Sequence, residues 1–487
     1  AAVARTWGDK LIWWLAMTFP TTPDYDSDSS STAALEESLQ LWQAWLFPGN
    51  LFNLPALMIS LFCTVLLLMG VKESKTVANF FTSLKMILVA FMIVGGFGLY
   101  QSSNFITKPF APFGVSGVLR GATSSFFGYL GYDEVCVVAG EALSPQRNVP
   151  RAILATLLIV TVCYILASIA LVGMQYYPDI SPTAGFPAAF EASNLHWAAQ
   201  LSATGELITL PVVVLISLLA QPRLTYSMAL DGVLPPIFAR QSADGNLIGG
   251  TLVWGIVMIA TAATIPFTYL DDLISCGILV AFCLANSCLI LLRAQGDYGA
   301  GNEAAVSTQQ LPSSRTSSHP YRLHRSLMAY NVLCCFSALL WSHVMSESSA
   351  GNSSSTALVS ILATVMTVAM VACYTWISLQ LQKAITSTSS TSRKTNGQKA
   401  SRSRDMYDVV HSHDDDLDNN ILVERHDYFQ TPLVPFVPCV GMAINWYLIA
   451  QLEMLGLVLL VLYLGGTVIT YRTFRRRPRR NPEDGHS

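Results

Sequence analysis

Charged side chains are scarce in this chain. Asp, Glu, Lys and Arg make up 12% of its 487 residues, against 52% hydrophobic. Soluble domains carry about twice that charged fraction, so a water-soluble globular protein is excluded. The ten cysteines contain no C-x-x-C pair and nearly all lie inside apolar runs. Neither a disulfide framework nor a zinc site follows from them. The polar stretches also lack a nucleophile–base pair, a metal constellation and a phosphate-binding loop. The expectation is therefore no enzyme, no cofactor, no metal and no nucleic-acid partner. No signal-peptide pattern opens the chain, and its first residue is Ala; the start reads as the interior of a longer protein.

What the chain does have is apolar length. Val3 to Phe19 reads as the tail of a helix with an aromatic belt. Complete apolar spans follow near 50–70, 77–99, 119–140, 152–176, 200–220, 249–268, 272–293, 326–346, 357–379, 433–452 and 453–471. Each is close to the roughly 20 residues that a bilayer requires. With Tyr471–Arg480 and its six arginines placed in the cytoplasm, alternate loops collect 23 of the 28 Lys and Arg residues on that side. That asymmetry orients the chain with its C-terminus cytoplasmic. The sequon at Asn352 then falls in an outer loop, as glycosylation requires. Gly296–His319 and Lys383–Asp427 are low in complexity and expected to be disordered.

Ser124 to Asp133 reads S-S-F-F-G-Y-L-G-Y-D within an apolar span. Gly128 and Gly131 interrupt it three residues apart, and the acids Asp133 and Glu134 close it. Small residues on one helix face serve close helix packing. A glycine-broken membrane helix also lines a cavity, where freed carbonyls and amides hold a ligand. The span at 119–140 opens a run of five, the size of one repeat in inverted-repeat transporters, whose first helix is discontinuous.

Lys85 is the second candidate. It lies eight residues into the span 77–99. A lysine there is costly and by default functional, although snorkelling to the cytoplasmic end is the competing explanation. Glu206 and Pro211 stand out in the span 200–220, and Pro211 is expected to bend its helix.

The flanks of the broken span carry a family resemblance. F-F-G-Y-L-G-Y-D, then G-E-A-L-S-P-Q-R-N-V-P-R-A, resembles the sixth helix and following loop of the cationic amino acid transporters. These belong to the amino acid–polyamine–organocation superfamily. Pro222 to Gly232, P-R-L-T-Y-S-M-A-L-D-G, is similar to that family's segment after its eighth helix. Pro432 to Arg472 resembles the family's C-terminal two-helix extension. The resemblance implies a LeuT-like inverted-repeat fold of fourteen helices, with about eleven complete here and the first two and part of the third absent. On that frame 1–19 is the tail of the third helix and 50–293 the transporter core, helices four to ten. A cytoplasmic loop at 294–325, helices eleven and twelve at 326–379 and a disordered loop at 380–431 follow. The extension at 432–472 and a cytoplasmic tail at 473–487 complete the chain.

Roles carried over by position are these. Carbonyls at Phe127, Gly128 and Leu130, with Gly131 in the break, receive the substrate's amino group. Tyr132 matches an aromatic gate. Lys85 matches a lysine that replaces sodium and couples transport to protons in bacterial relatives. Asp133 and Glu134 are candidate cavity acids, with cytoplasmic water the alternative surroundings for Glu134. Glu141 is expected to pair with Arg147 and Arg151. The implied function is a sodium-independent amino acid carrier in a plasma, vacuolar or lysosomal membrane, most consistent with arginine, lysine or ornithine. Proton coupling, exchange and uniport stay open, as do neutral amino acids, polyamines and a nutrient-sensing role. The implied partners are the amino acid, the lipid bilayer and, if coupled, protons. Oligomeric state is not legible.

Overall fold

The computed structural model describes residues 1–19, 31–48, 52–70, 75–106, 112–137, 144–242, 246–295, 319–350, 353–404 and 431–452, with 139, 142 and scattered positions between 456 and 472. Every regular element among them is helical. Six helices are long and apolar enough to cross a membrane: Thr76–Gly98, Pro145–Met174, His196–Leu230, Phe267–Ala294, Arg322–Met345 and Ala357–Gln382. Leu54–Leu68, Ile248–Thr264 and Phe436–Ile449 are apolar but shorter. The protein is thus an all-α, multi-pass membrane protein. Of the remaining expected spans, 119–140 is not one helix, and 453–471 is described only in part. Asn352 and Glu141 lie outside the described residues.

The chain divides into two compact units. The first comprises Ala1–Pro112, Gly128–Leu273 and Val458–Ser487. Its helices are α1 (Ala2–Thr18), α2 (Ser31–Leu46), α3 (Leu54–Leu68), α4 (Lys75–Gly98), α5 (Ser103–Ile106), α7 (Glu134–Val137), α8 (Pro145–Met174), α9 (Phe186–Ala192), α10 (His196–Leu230) and α11 (Ile248–Thr264). The second unit, Phe113–Phe127 and Ile274–Leu457, holds α6 (Gly114–Phe126), most of α12 (Phe267–Gln295), α13 (His319–Ala350), α14 (Ser353–Arg404) and α15 (Phe436–Ile449).

α10 is the hub of the first unit, packed by α1, α3, α4, α9 and α11. One core joins Ala4 of α1, Ile59 and Cys63 of α3, Val214 and Leu218 of α10, and Met258 and Ala262 of α11. A second joins Leu88 and Met92 of α4 to Phe190 of α9 and Ala198 and Ala199 of α10. Lipid is as apolar as these side chains, so their fit stabilises through van der Waals contact rather than release of water. The start of α3 shows how a membrane helix is closed off. Asn53 is fully buried, its Oδ1 accepts from the Ala56 amide at 2.8 Å, and Pro55 follows inside the first turn. That removes one orphan donor and supplies a residue with none to satisfy.

Pro211 is expected to bend its helix, and α10 runs as one helix from His196 to Leu230 across Pro211 and Pro222. A proline has no N–H for the carbonyl four residues back, which here is Leu207. The Trp7 indole Nε1 of α1 donates to that carbonyl at 2.9 Å. A neighbouring helix thus satisfies the group that the proline frees.

In the second unit, Cys283 and Ile290 of α12, Leu327 and Tyr330 of α13, Ile377 of α14 and Met442 of α15 share a core. Asn331 ties it with polar bonds, giving Nδ2 to Ser287 Oγ at 3.1 Å and accepting from Trp446 Nε1 at 3.0 Å. α14 continues helical to Arg404, where the composition from Lys383 onward predicted disorder. Extending an existing helix needs no new nucleus, so propagation outruns the apolar pattern.

Candidate functional site

The glycine-interrupted stretch is a broken helix. α6 ends at Phe126, a 3-10 turn covers Phe127–Tyr129, and α7 restarts at Glu134. Phe127 falls in the second unit and Gly128 to Val137 in the first, so the geometry that follows is that of Gly128 onward. Gly131 has φ of +109°, a conformation that L side chains rarely adopt and glycine takes freely. Its amide donates to Asp133 Oδ1 at 3.2 Å, and its carbonyl accepts from the Glu134 amide at 3.2 Å. Asp133 therefore ties the turn with one of its oxygens, and Glu134 opens the short α7.

The Gly128 carbonyl, released from helical bonding, accepts from the Tyr164 hydroxyl of α8 at 2.7 Å. Tyr164 also packs edge-on against Tyr129, with ring centroids 5.4 Å apart. A Cβ added at Gly128 would sit 3.2 Å from the Tyr164 ring, so this position suits a residue without one. Leu130, Gly131 and Tyr132 are half-buried around the turn, and Gly128 is exposed. The break thus holds a carbonyl outside the helical pattern, bonded to Tyr164, together with a polar turn and two aromatic rings. Tyr164 was not legible as a candidate. It sits in an apolar span 36 residues from Gly128, and no local pattern links them.

Lys85 lies in α4 with its side chain exposed, away from the turn in chain position but in the same unit. α4 packs on α10, the helix that carries Glu206. Glu206 itself is paired: Lys10 Nζ of α1 donates to its Oε2 at 2.6 Å, with about a fifth of each side chain exposed. The sequence marked Glu206 as unusual but not its partner, which is 196 residues away. Among the described residues no three His, Cys, Asp or Glu side chains gather as metal ligands.

Residues 29–367 match the family described as Amino acid permease, and residues 429–478 match the C-terminus of AA_permease. One relative is a vacuolar cationic amino acid transporter 4 of Arabidopsis thaliana, 35% identical over 49% of this chain and 40% of its own length. A methylthioribose transporter of Bacillus subtilis is 35% identical over 50% of this chain and 53% of its own length. Human cationic amino acid transporter 4 is 30% identical over 61% of this chain and 45% of its own length. The chain spans about half the length of the curated relatives it matches.

Proposed function

We propose, from the premise that the chain belongs to the amino acid permease family, that it moves amino acids across a membrane by alternating access, with cationic amino acids as the substrate class. The observation that carries this is the break at Gly128–Asp133, where a carbonyl leaves its helix and meets the Tyr164 hydroxyl beside two aromatic rings. A substrate ammonium is the ligand such a carbonyl suits, and discontinuous helices are where such folds bind. Relatives named cationic amino acid transporters support the substrate class. The methylthioribose transporter supports a second reading, a permease for a neutral solute.

In this proposal Gly128 and Leu130 present carbonyls to the amino group, with Phe127 at the start of the turn and Tyr132 as the gate. Lys85 exchanges the coupled proton in place of sodium. The distribution of Lys and Arg supports a cytoplasmic C-terminus, in a plasma, vacuolar or lysosomal membrane.

Two variants of the intact protein test this. Gly128→Val puts a branched side chain against Tyr164, and labelled arginine uptake is expected to fall by about tenfold or more, the equivalent of roughly 1.4 kcal/mol. Wild-type affinity would mean that the glycine serves helix packing alone. Lys85→Ala is expected to flatten the pH dependence of uptake; an unaltered profile removes Lys85 from coupling.

A further inference from the structure

Lys10 and Glu206 form an ion pair between α1 and α10, inside the first unit. Lys10 is the ninth of the 17 residues of α1, and Glu206 the eleventh of the 35 of α10. At 1.5 Å per residue Glu206 lies about 15 Å from the start of its helix, a depth at which a charge is costly unless paired. Lys10 Nζ donates to Oε2 of the carboxylate at 2.6 Å. The neighbouring acid Asp9 is engaged elsewhere: it accepts from Asn53 Nδ2 at 3.2 Å and lies 3.9 Å from Arg5.

The pair is not needed to join its two helices. Trp7 Nε1 donates to Leu207 O and Trp14 Nε1 donates to Thr204 Oγ1, each at 2.9 Å. Trp7, Lys10 and Trp14 are spaced three and four residues apart, so they share one face of α1. The same two helices meet in apolar contacts, Ala4 with Val214 and Leu218 in one core and Trp13 with Ala203 in another. A buried ion pair is often replaceable by apolar groups of its volume without loss of stability. Packing alone therefore does not account for two charges here.

The pair borders a cavity of about 10 Å³, lined by Lys10, Trp13, Ala184, Pro187, Ala203 and Glu206. That is the space of one water, and so of one ammonium group. Trp13 gives it an aromatic wall, a surface that attracts a cation. About a fifth of each charged side chain is exposed, so the pair is reachable rather than sealed in the core. Lys10 Nζ has a place to move to, and the carboxylate it would leave is accessible to a ligand. The pair lies in the same unit as the turn from Gly128 to Asp133, and α7, which follows that turn, packs on α10.

We propose that Glu206 reads the cationic end of the substrate's side chain, and that Lys10 is its tethered occupant in the empty carrier. This rests on the reading of the protein as a carrier of cationic amino acids. A free lysine ends in the same butyl ammonium that Lys10 supplies; ornithine brings a shorter ammonium and arginine a guanidinium to the same carboxylate. On binding, the substrate's cation takes the carboxylate from Lys10, whose ammonium steps into the cavity against Trp13. The carboxylate keeps one cation throughout, as its depth requires, and no proton moves. A neutral side chain cannot make the exchange and leaves the Lys10–Glu206 bond closed.

The test compares uptake of labelled arginine with that of labelled citrulline, a neutral side chain of nearly the same shape, by the intact protein. The readout is the ratio of the two apparent affinities, which does not depend on how much protein reaches the membrane. Glu206→Gln removes the acceptor and leaves the Lys10 ammonium, so the preference for arginine falls by about tenfold or more, the size of one charge-assisted bond. Lys10→Met removes the competitor, so the preference rises. Both movements are required. A clamp between α1 and α10 changes both affinities in proportion, so a ratio unmoved in either variant overturns the proposal. If the single variants fail to fold, Lys10→Met with Glu206→Met replaces the pair by apolar side chains. Its preference for arginine is expected below that of the wild type; a wild-type preference there refutes the role of Glu206. The unaltered protein separates the two levels. If it takes citrulline as well as arginine, the cationic reading falls and this proposal with it. If it prefers arginine and the variants leave the ratio unmoved, the role of the pair alone is overturned.

Discussion

Tyr164→Phe is the most informative perturbation at the broken helix. It deletes one oxygen and leaves the ring that packs edge-on against Tyr129 at 5.4 Å. What disappears is the hydroxyl that donates to the Gly128 carbonyl at 2.7 Å. If a substrate ammonium uses that carbonyl, the hydroxyl competes with it and must be displaced on binding. A neutral hydrogen bond of this kind contributes about 1 kcal/mol net, so its removal should tighten binding about fivefold. The assay is equilibrium binding of labelled arginine to the purified intact protein, wild type against Tyr164→Phe, at one pH and salt. A carbonyl has two lone pairs, so hydroxyl and ammonium could in principle bind it together. In that case affinity would be unchanged or weaker. Either outcome refutes displacement and reassigns Tyr164 to holding the turn.

Two further outcomes follow from the geometry. Gly131→Ala forces a side chain into φ of +109°, which costs about 1–3 kcal/mol; the thermal midpoint of the detergent-solubilised protein should drop, and an unchanged midpoint would mean the turn relaxes freely. Trp7→Phe leaves the Leu207 carbonyl without its donor and should destabilise by about 1 kcal/mol; if it is neutral while Pro211→Ala is stabilising, the carbonyl has found another partner.

Several features were legible because they depend on short stretches of chain. Apolar runs of bilayer length mark helices wherever they occur, since a backbone in hydrocarbon must satisfy itself. The six long helices and the three shorter ones fall on expected spans. Gly128 and Gly131 announced the break, because glycines at that spacing inside an apolar run weaken a helix and permit a left-handed turn. Pro211 marked a place where its helix is expected to bend. Composition predicts disorder from Lys383 onward; of that stretch the structure describes the helical part to Arg404.

The tertiary structure decided what each of these features meets. The carbonyl freed by Pro211 is answered by Trp7, the one at Gly128 by Tyr164, and the carboxylate of Glu206 by Lys10. Each partner sits on another helix, 36 to 200 residues away in the chain. Local pattern determines which groups lose their helical bonds; it carries no distance between helices. Packing brings the partners within 3 Å, and only packing chooses which of the apolar helices supplies them.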